Sequence, residues 1–176
     1  MKGGARSAPP FMLSWFGGAK EGVDRLTLFS YCCLTVLAPR ISDFGAYPDW
    51  NPFIRSIDGD QTVGGRLHVR LQPPEGRGIT MKPMVTVNEP GRVFGWLGKL
   101  GGVPHLFDGA HRFELESMNG GRRMLFVQSE RFQGILLPFL RRSILPPTLR
   151  GFEAMNRALA DRAVVMKTSA AKTSAV

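Results

Sequence analysis

The chain has 176 residues, enough for one domain with a real core, and its 43% apolar content excludes disorder along the whole length. Its net charge is +9, but much of the basic excess lies at the ends: Lys2, Arg6, Lys20, Arg25 and Arg40 against Glu21 and Asp24, then Arg162, Lys167 and Lys172 against Asp161. With Arg122-Arg123 beside a turn and Arg141-Arg142 in a linker, basic residues are not interleaved with aromatics on one face, and this speaks against a nucleic-acid partner.

Met1 to Gly22 is rich in Gly, Ala, Ser and Pro and has no acid before Glu21. Residues 1–22 are therefore expected to form a poorly ordered extension. The apolar run Phe11 to Phe16 is too short for a secretory signal, and Leu26 to Ala38 is too short to span a bilayer. No stable membrane insertion is expected. Arg25 to Phe29 alternates and predicts a first strand. Cys32 and Cys33 are adjacent, which allows no disulfide framework and no cysteine-based zinc site. A reducing compartment fits, so the expected location is cytoplasmic. The basic, acid-poor start leaves a mitochondrial leader as the alternative.

Tyr47 to Ile57 reads as a corner between a short helix and a strand. Pro48 and Pro52 exclude a regular helix across it, because each lacks an N–H and restricts the residue before it. Tyr47 and Trp50 are large aromatics, each with a polar handle, and suit an anchored corner. Asp43 to Ala46 closes the helix upstream, and Phe53 to Ile57 has strand composition downstream.

A meander follows. Asp58-Gly59-Asp60 and Gly64-Gly65 are turn signals. From Arg66 to Gln72, Leu67, Val69 and Leu71 alternate with Arg66, His68 and Arg70, a half-buried strand with His68 on its polar face. Pro73-Pro74-Glu75-Gly76 turns the chain. Ile79 to Val87 predicts another strand, with a bulge or an edge at Pro83. Arg92 to Leu100 places Phe94, Trp96 and Leu100 on one parity, and Gly95 and Gly98 mark bending. Gly101 to Pro104 is a loop. His111, Phe113 and Leu115 then alternate with Arg112, Glu114 and Glu116, which puts His111 on the inward face. Asn119-Gly120-Gly121 suits a hairpin. Arg122 to Gln133 has two apolar parities, so its inner face stays open.

Gly134 to Phe139 is apolar and suits a cover over a cavity mouth. Pro146-Pro147 is expected to stop regular structure, with Thr148 as the cap of a final helix. Leu149, Phe152, Met155, Leu159 and Ala163 repeat every three or four residues and predict its buried stripe. Arg150, Glu153, Arg157 and Asp161 lie on other faces. Residues 167–176 read as a flexible tail.

This order of corner, meander and long helix resembles the START-like (SRPBCC) superfamily, also called the polyketide cyclase/dehydrase and lipid-transport superfamily. The residues that carry the resemblance are Asp43-Phe44 through Trp50-Asn51-Pro52-Phe53-Ile54, Gly65-Arg66-Leu67, Phe107 to Glu116, Glu130 to Gly134, and Gly151 to Leu159. The resemblance runs over 42–164, within a domain expected over 23–166. It departs at the start. Only Arg40, Ile41 and Ser42 separate Ala38-Pro39 from Asp43-Phe44, so the family's first helix is short, displaced into Tyr31 to Leu37, or lost.

The resemblance implies an α+β helix-grip fold, a curved antiparallel sheet wrapped around a C-terminal helix with a cavity between them. It implies a small hydrophobic molecule or lipid as partner, and it turns the open face of 122–133 so that Glu130 is near the cavity. The expected lining is Trp50, Asn51 and Phe53 from the corner, Trp96, His111, Phe113, Leu115 and Glu130 from the sheet, and Phe152, Met155 and Leu159 from the helix. No cofactor and no metal is implied. The motifs of Ser/His/Asp catalysis, phosphate loops and metal clusters do not occur. His111 with Glu130 is the single constellation suited to proton transfer. Such a pair is also what a self-satisfied buried polar network looks like. Three functions stay open: a carrier of a hydrophobic ligand without chemistry, a cyclase or dehydratase using His111 and Glu130, and a co-chaperone-like interaction module. The oligomeric state cannot be read.

Overall fold

The computed structural model describes residues 11–18, 23–32, 43–118, 120 and 123–173. Nine strands run in chain order: β1 (Phe11–Gly18), β2 (Val23–Cys32), β3 (Ile54–Gly59), β4 (Leu67–Leu71), β5 (Ile79–Met81), β6 (Met84–Glu89), β7 (Val93–Lys99), β8 (Asp108–Met118) and β9 (Arg123–Gln133). A six-stranded sheet has the order β1-β2-β9-β8-β7-β6, and a three-stranded sheet has the order β3-β4-β5. Every pairing is antiparallel. The Arg66–Met84 bridge ties the two sheets together, with the N–H of Leu67 donating to the Pro83 carbonyl and that of Val85 to the Gly65 carbonyl, both at 2.9 Å. One helical turn, α1 (Tyr47–Trp50), follows a 3-10 turn at Phe44–Ala46, and a long helix, α2 (Leu137–Thr173), closes the chain. This is the expected α+β helix-grip architecture.

The corner forms for the reasons its composition gives. Pro48 sits in the first turn of α1, where its missing N–H costs no helical bond. Pro52 lies just beyond the helix end. Asn51 is fully buried, and its Oδ1 accepts from the backbone N–H of Phe53 at 3.0 Å and of Ile54 at 2.9 Å. That side chain turns the chain from α1 into β3. Tyr47 is buried against Phe44, with ring centroids 5.3 Å apart.

Strand parity follows the sequence. Leu67 and Val69 are buried while His68 and Arg70 are exposed. On β8, His111, Phe113 and Leu115 are buried and Arg112 and Glu116 are exposed. Arg112 pairs with Glu114 on the outer face. On α2, Phe152, Met155 and Leu159 are buried, and Arg150, Arg157 and Asp161 are exposed.

Expectations at Pro83 and at Pro146-Pro147 are revised. The strand expected over 79–87 is divided at Pro83 into β5 and β6, and both are edge strands, as one of the two alternatives had it; the register shift falls between Val85 and Val87. A proline cannot donate to the ladder, but the Pro83 carbonyl still accepts from the Leu67 N–H at 2.9 Å. Pro146 and Pro147 do not stop regular structure, since both lie inside α2. They withhold N–H groups from the turn before them. Leu137 is buried and Ile144 and Leu145 pack on the core, so tertiary packing holds the early turns in place. Thr148 is consequently no cap, and its Oγ1 donates back to the Ile144 carbonyl at 2.8 Å. The extension expected over 1–22 contains β1, which pairs with β2 along its length. The tail expected from residue 167 includes the end of α2, which runs to Thr173. The alternative of a first helix within Tyr31 to Leu37 meets β2 as far as Cys32, and residues 33–42 lie outside the described residues.

The contact between α2 and the corner is close. A β-carbon on Gly151 would stand 2.3 Å from the Phe53 ring, so glycine is what lets the helix approach there. Among the described residues no helix is long and apolar enough to cross a membrane.

Candidate functional site

The site is built on one rung of the large sheet. Trp96 on β7 is the direct register partner of His111 on β8, and His111 is the partner of Glu130 on β9. Direct partners point to the same face, so register alone puts these three side chains in a row. The next rung pairs Phe113 with Gln128, and the next pairs Leu115 with Phe126.

Within the row, the imidazole of His111 stacks on the Trp96 indole at 4.5 Å between centroids and 10° between planes. Phe113 and Phe152 present edges to the same ring at 4.5 and 5.3 Å. His111 is only 4% exposed. Its Nδ1 meets a Glu130 carboxylate oxygen. The carboxylate accepts, so Nδ1 carries a proton, and in the neutral imidazole Nε2 then keeps its lone pair. Nε2 faces the Gln128 amide nitrogen at 3.5 Å, the outer limit of a hydrogen bond. The same amide nitrogen lies 3.6 Å from the Met155 sulfur.

Among the described residues several buried polar atoms have no hydrogen-bond partner. They include Gln128 Oε1 and both amide atoms of Asn156, and both residues are fully buried. Asn51 Nδ2 and Asp108 Oδ1 are in the same condition. Such groups are rare in folded proteins because each forfeits its hydration without compensation.

The expected lining residues therefore divide. Trp96, His111, Phe113, Glu130 and Phe152 come together, joined by Met155 through Gln128. Phe53 reaches them through Phe152, with ring centroids 5.8 Å apart. Leu115 and Leu159 belong to the same buried core. Asn51 is engaged with the backbone of the corner. Trp50 is only partly buried, and its ring partners are Tyr47 at 5.1 Å and the Arg162 guanidinium at 6.0 Å. It belongs to the junction of α1 and α2.

Two buried amide side chains, Gln128 beside His111 and Asn156 on the α2 stripe, escaped sequence reasoning. A signal existed for each. Gln128 shares parity with Glu130, and Asn156 lies four residues after Phe152 and three before Leu159, on the apolar stripe. An amide on an apolar stripe is a polar group committed to burial. Among the described residues no three His, Cys, Asp or Glu side chains gather as metal ligands.

The family described as polyketide cyclase / dehydrase and lipid transport matches residues 35–164. No curated protein matches the chain. Solved structures of the same fold do. A START superfamily protein from Mycobacterium smegmatis is 16% identical, with a TM-score of 0.60 over 81% of this chain and 98% of that one. The ZhuI aromatase/cyclase from Streptomyces sp. R1128 is 12% identical, with a TM-score of 0.62 over 80% and 93%. The di-domain aromatase/cyclase BexL of the BE-7585A biosynthetic pathway is 11% identical, with a TM-score of 0.63 over 82% of this chain. The present chain spans about half of BexL, 51% of its length. At these identities the likeness is one of fold.

Proposed function

The chain belongs to the polyketide cyclase / dehydrase and lipid transport family, and from that premise we propose that its interior binds a small, mostly apolar molecule bearing one or two polar groups. The observation that carries this reading is Asn156, fully buried on the helix stripe with every amide hydrogen-bonding atom unpartnered among the described residues. An apolar residue of the same size would serve a solid core better. A buried amide of this kind is explained if a ligand supplies the missing partner. Gln128 Oε1 adds a second acceptor, and Trp96, Phe113 and Phe152 supply flat apolar walls. This is the mixture of apolar lining and few convergent polar groups that suits small-molecule sites.

An enzymatic reading, of the cyclase or dehydratase type, is favoured by a separate observation. Glu130 holds Nδ1 of His111 and leaves Nε2 as a base within an apolar surround. A histidine so oriented accepts a proton from a bound ligand and returns it, with the carboxylate stabilising the imidazolium between the two steps.

Mass spectrometry of small molecules released from protein purified from its source tests both. A molecule that co-purifies unchanged supports binding alone. Turnover of that molecule, lost in His111→Ala, supports chemistry. Recovery of no molecule under native conditions counts against both.

A further inference from the structure

We propose that the tip formed by the β7–β8 loop and the start of α2 is a docking surface for an anionic membrane. The proposal is independent of what the interior binds.

Six large apolar side chains are exposed among the described residues, and four of them lie at this tip: Leu100, Val103, Ile135 and Phe139. Ile135 is 72% exposed and Phe139 79%. Their proximity is fixed by the backbone. The N–H of Ile135 donates to the His105 carbonyl at 3.0 Å, that of Leu136 to Leu106 at 3.1 Å, and that of Leu100 to Phe107 at 2.9 Å. The two segments thus form one end of the fold. Scattered exposed apolar residues need no explanation, but a group of them held together marks an interaction surface.

Charge selects the partner. The segments 99–107 and 131–142 contain Lys99, Arg131, Arg141 and Arg142, and no acidic residue. Of the acids beside these segments, Asp108 is buried, Glu130 is turned inward to His111, and Asp24 on β2 stands across from Phe132. Lys99, Arg131 and Arg142 are exposed, and Arg142 follows Phe139 by three residues on the helix, which puts the two on one face. Exposed apolar side chains with exposed cations in the same segments suit a leaflet of anionic lipid, where the apolar groups enter the headgroup boundary and the cations meet phosphate. A second copy of the chain fits less well, because two basic tips would face each other in a molecule of net charge +9.

The test is co-sedimentation of the full chain with vesicles of phosphatidylcholine alone or of equimolar phosphatidylcholine and phosphatidylglycerol. The chain is expected to bind the anionic vesicles, and to release them as salt rises. The Ile135→Ser/Phe139→Ser variant is expected to bind about tenfold more weakly or worse, since losing two buried large apolar side chains exceeds that factor. Lys99→Glu/Arg142→Glu is expected to abolish the preference for anionic vesicles. These side chains are exposed, so circular dichroism and melting should match the parent. The salt titration of the unaltered chain reads the electrostatic part without any variant. Equal binding to both vesicle types, or binding unmoved by both variants, overturns the proposal. So does failure to bind vesicles while sedimentation equilibrium detects a dimer that Ile135→Ser/Phe139→Ser dissolves, which would make the tip a self-contact.

Discussion

Glu130 occupies the niche that Gly109 leaves open: a β-carbon on Gly109 would stand 2.8 Å from Glu130 Oε1. Both belong to the inward face of neighbouring strands, and Gly109 is two pairs along from His111, the partner of Glu130. The missing side chain gives the carboxylate room beside His111.

Gly109→Ala is therefore expected to push the carboxylate away from His111 Nδ1. A carboxylate end is flexible, so the cost should fall near the low end of the ~1–3 kcal/mol usual for overpacking. The diagnostic signal is at the imidazole. Nitrogen NMR of the labelled protein should show His111 losing its preference for the Nδ1–H tautomer. An unchanged tautomer would mean that Glu130 does not orient the ring.

Asn156→Leu has an opposite sign for a structural and for a ligand-facing amide. Leucine is close to asparagine in size and leaves nothing unsatisfied. If Asn156 waits for a ligand, the variant should be more stable than the parent by about 1 kcal/mol, the order of cost of an unmade buried hydrogen bond. It should also bind the co-purifying molecule more weakly. Denaturant midpoints with and without that molecule read both effects. A variant that loses stability would show that the amide supports the fold.

Tyr47 predicts an alkaline limit. Burial, with the Asp43 charge adding to it, holds its phenol protonated well above the ordinary tyrosine range. The fold thus favours the neutral phenol. Its contribution is complete below about pH 10, the ordinary tyrosine value, because both folded and unfolded chains are then protonated. As pH rises further the unfolded phenol ionises while the folded one does not, and stability falls. Tyr47→Phe should flatten that fall in urea titrations taken across the alkaline range. Parallel curves for parent and variant would place the alkaline loss elsewhere.

The reach of the sequence differed between face and register. Period-two alternation gave the buried face of β8 because Arg112 and Glu116 cannot go inward. The helical stripe of Phe152, Met155 and Leu159 was legible for the same reason. β9 was not, because it pairs with β2 on one side and β8 on the other, and Met124 to Ser129 are buried on both parities. Periodicity left Glu130 open, the resemblance turned it toward the cavity, and the register puts it beside His111; register is a non-local property. Gln128 and Asn156 were missed by reading for charged or nucleophilic groups, although their positions on apolar faces were visible. Pro146-Pro147 misled because local propensity says stop, while Leu137, Ile144 and Leu145 pack the early turns onto the core. Trp50 reads from the sequence as an anchor of the corner, yet its ring is only partly buried and packs on Tyr47 and under Arg162 at the junction of α1 and α2.

The central claim is that the interior between the Trp96-His111-Glu130 row and the α2 stripe accepts an apolar guest. Fluorescence titration with anilinonaphthalene sulfonate measures this most directly, on the parent, on Met155→Trp, and on Glu114→Gln from the outer strand face. The account predicts that the parent binds the probe, that Met155→Trp folds with a cost below the ~1–3 kcal/mol of overpacking but no longer binds, and that Glu114→Gln binds like the parent. A parent that binds no probe, together with a Met155→Trp chain that unfolds, would contradict the account and show the interior to be solid.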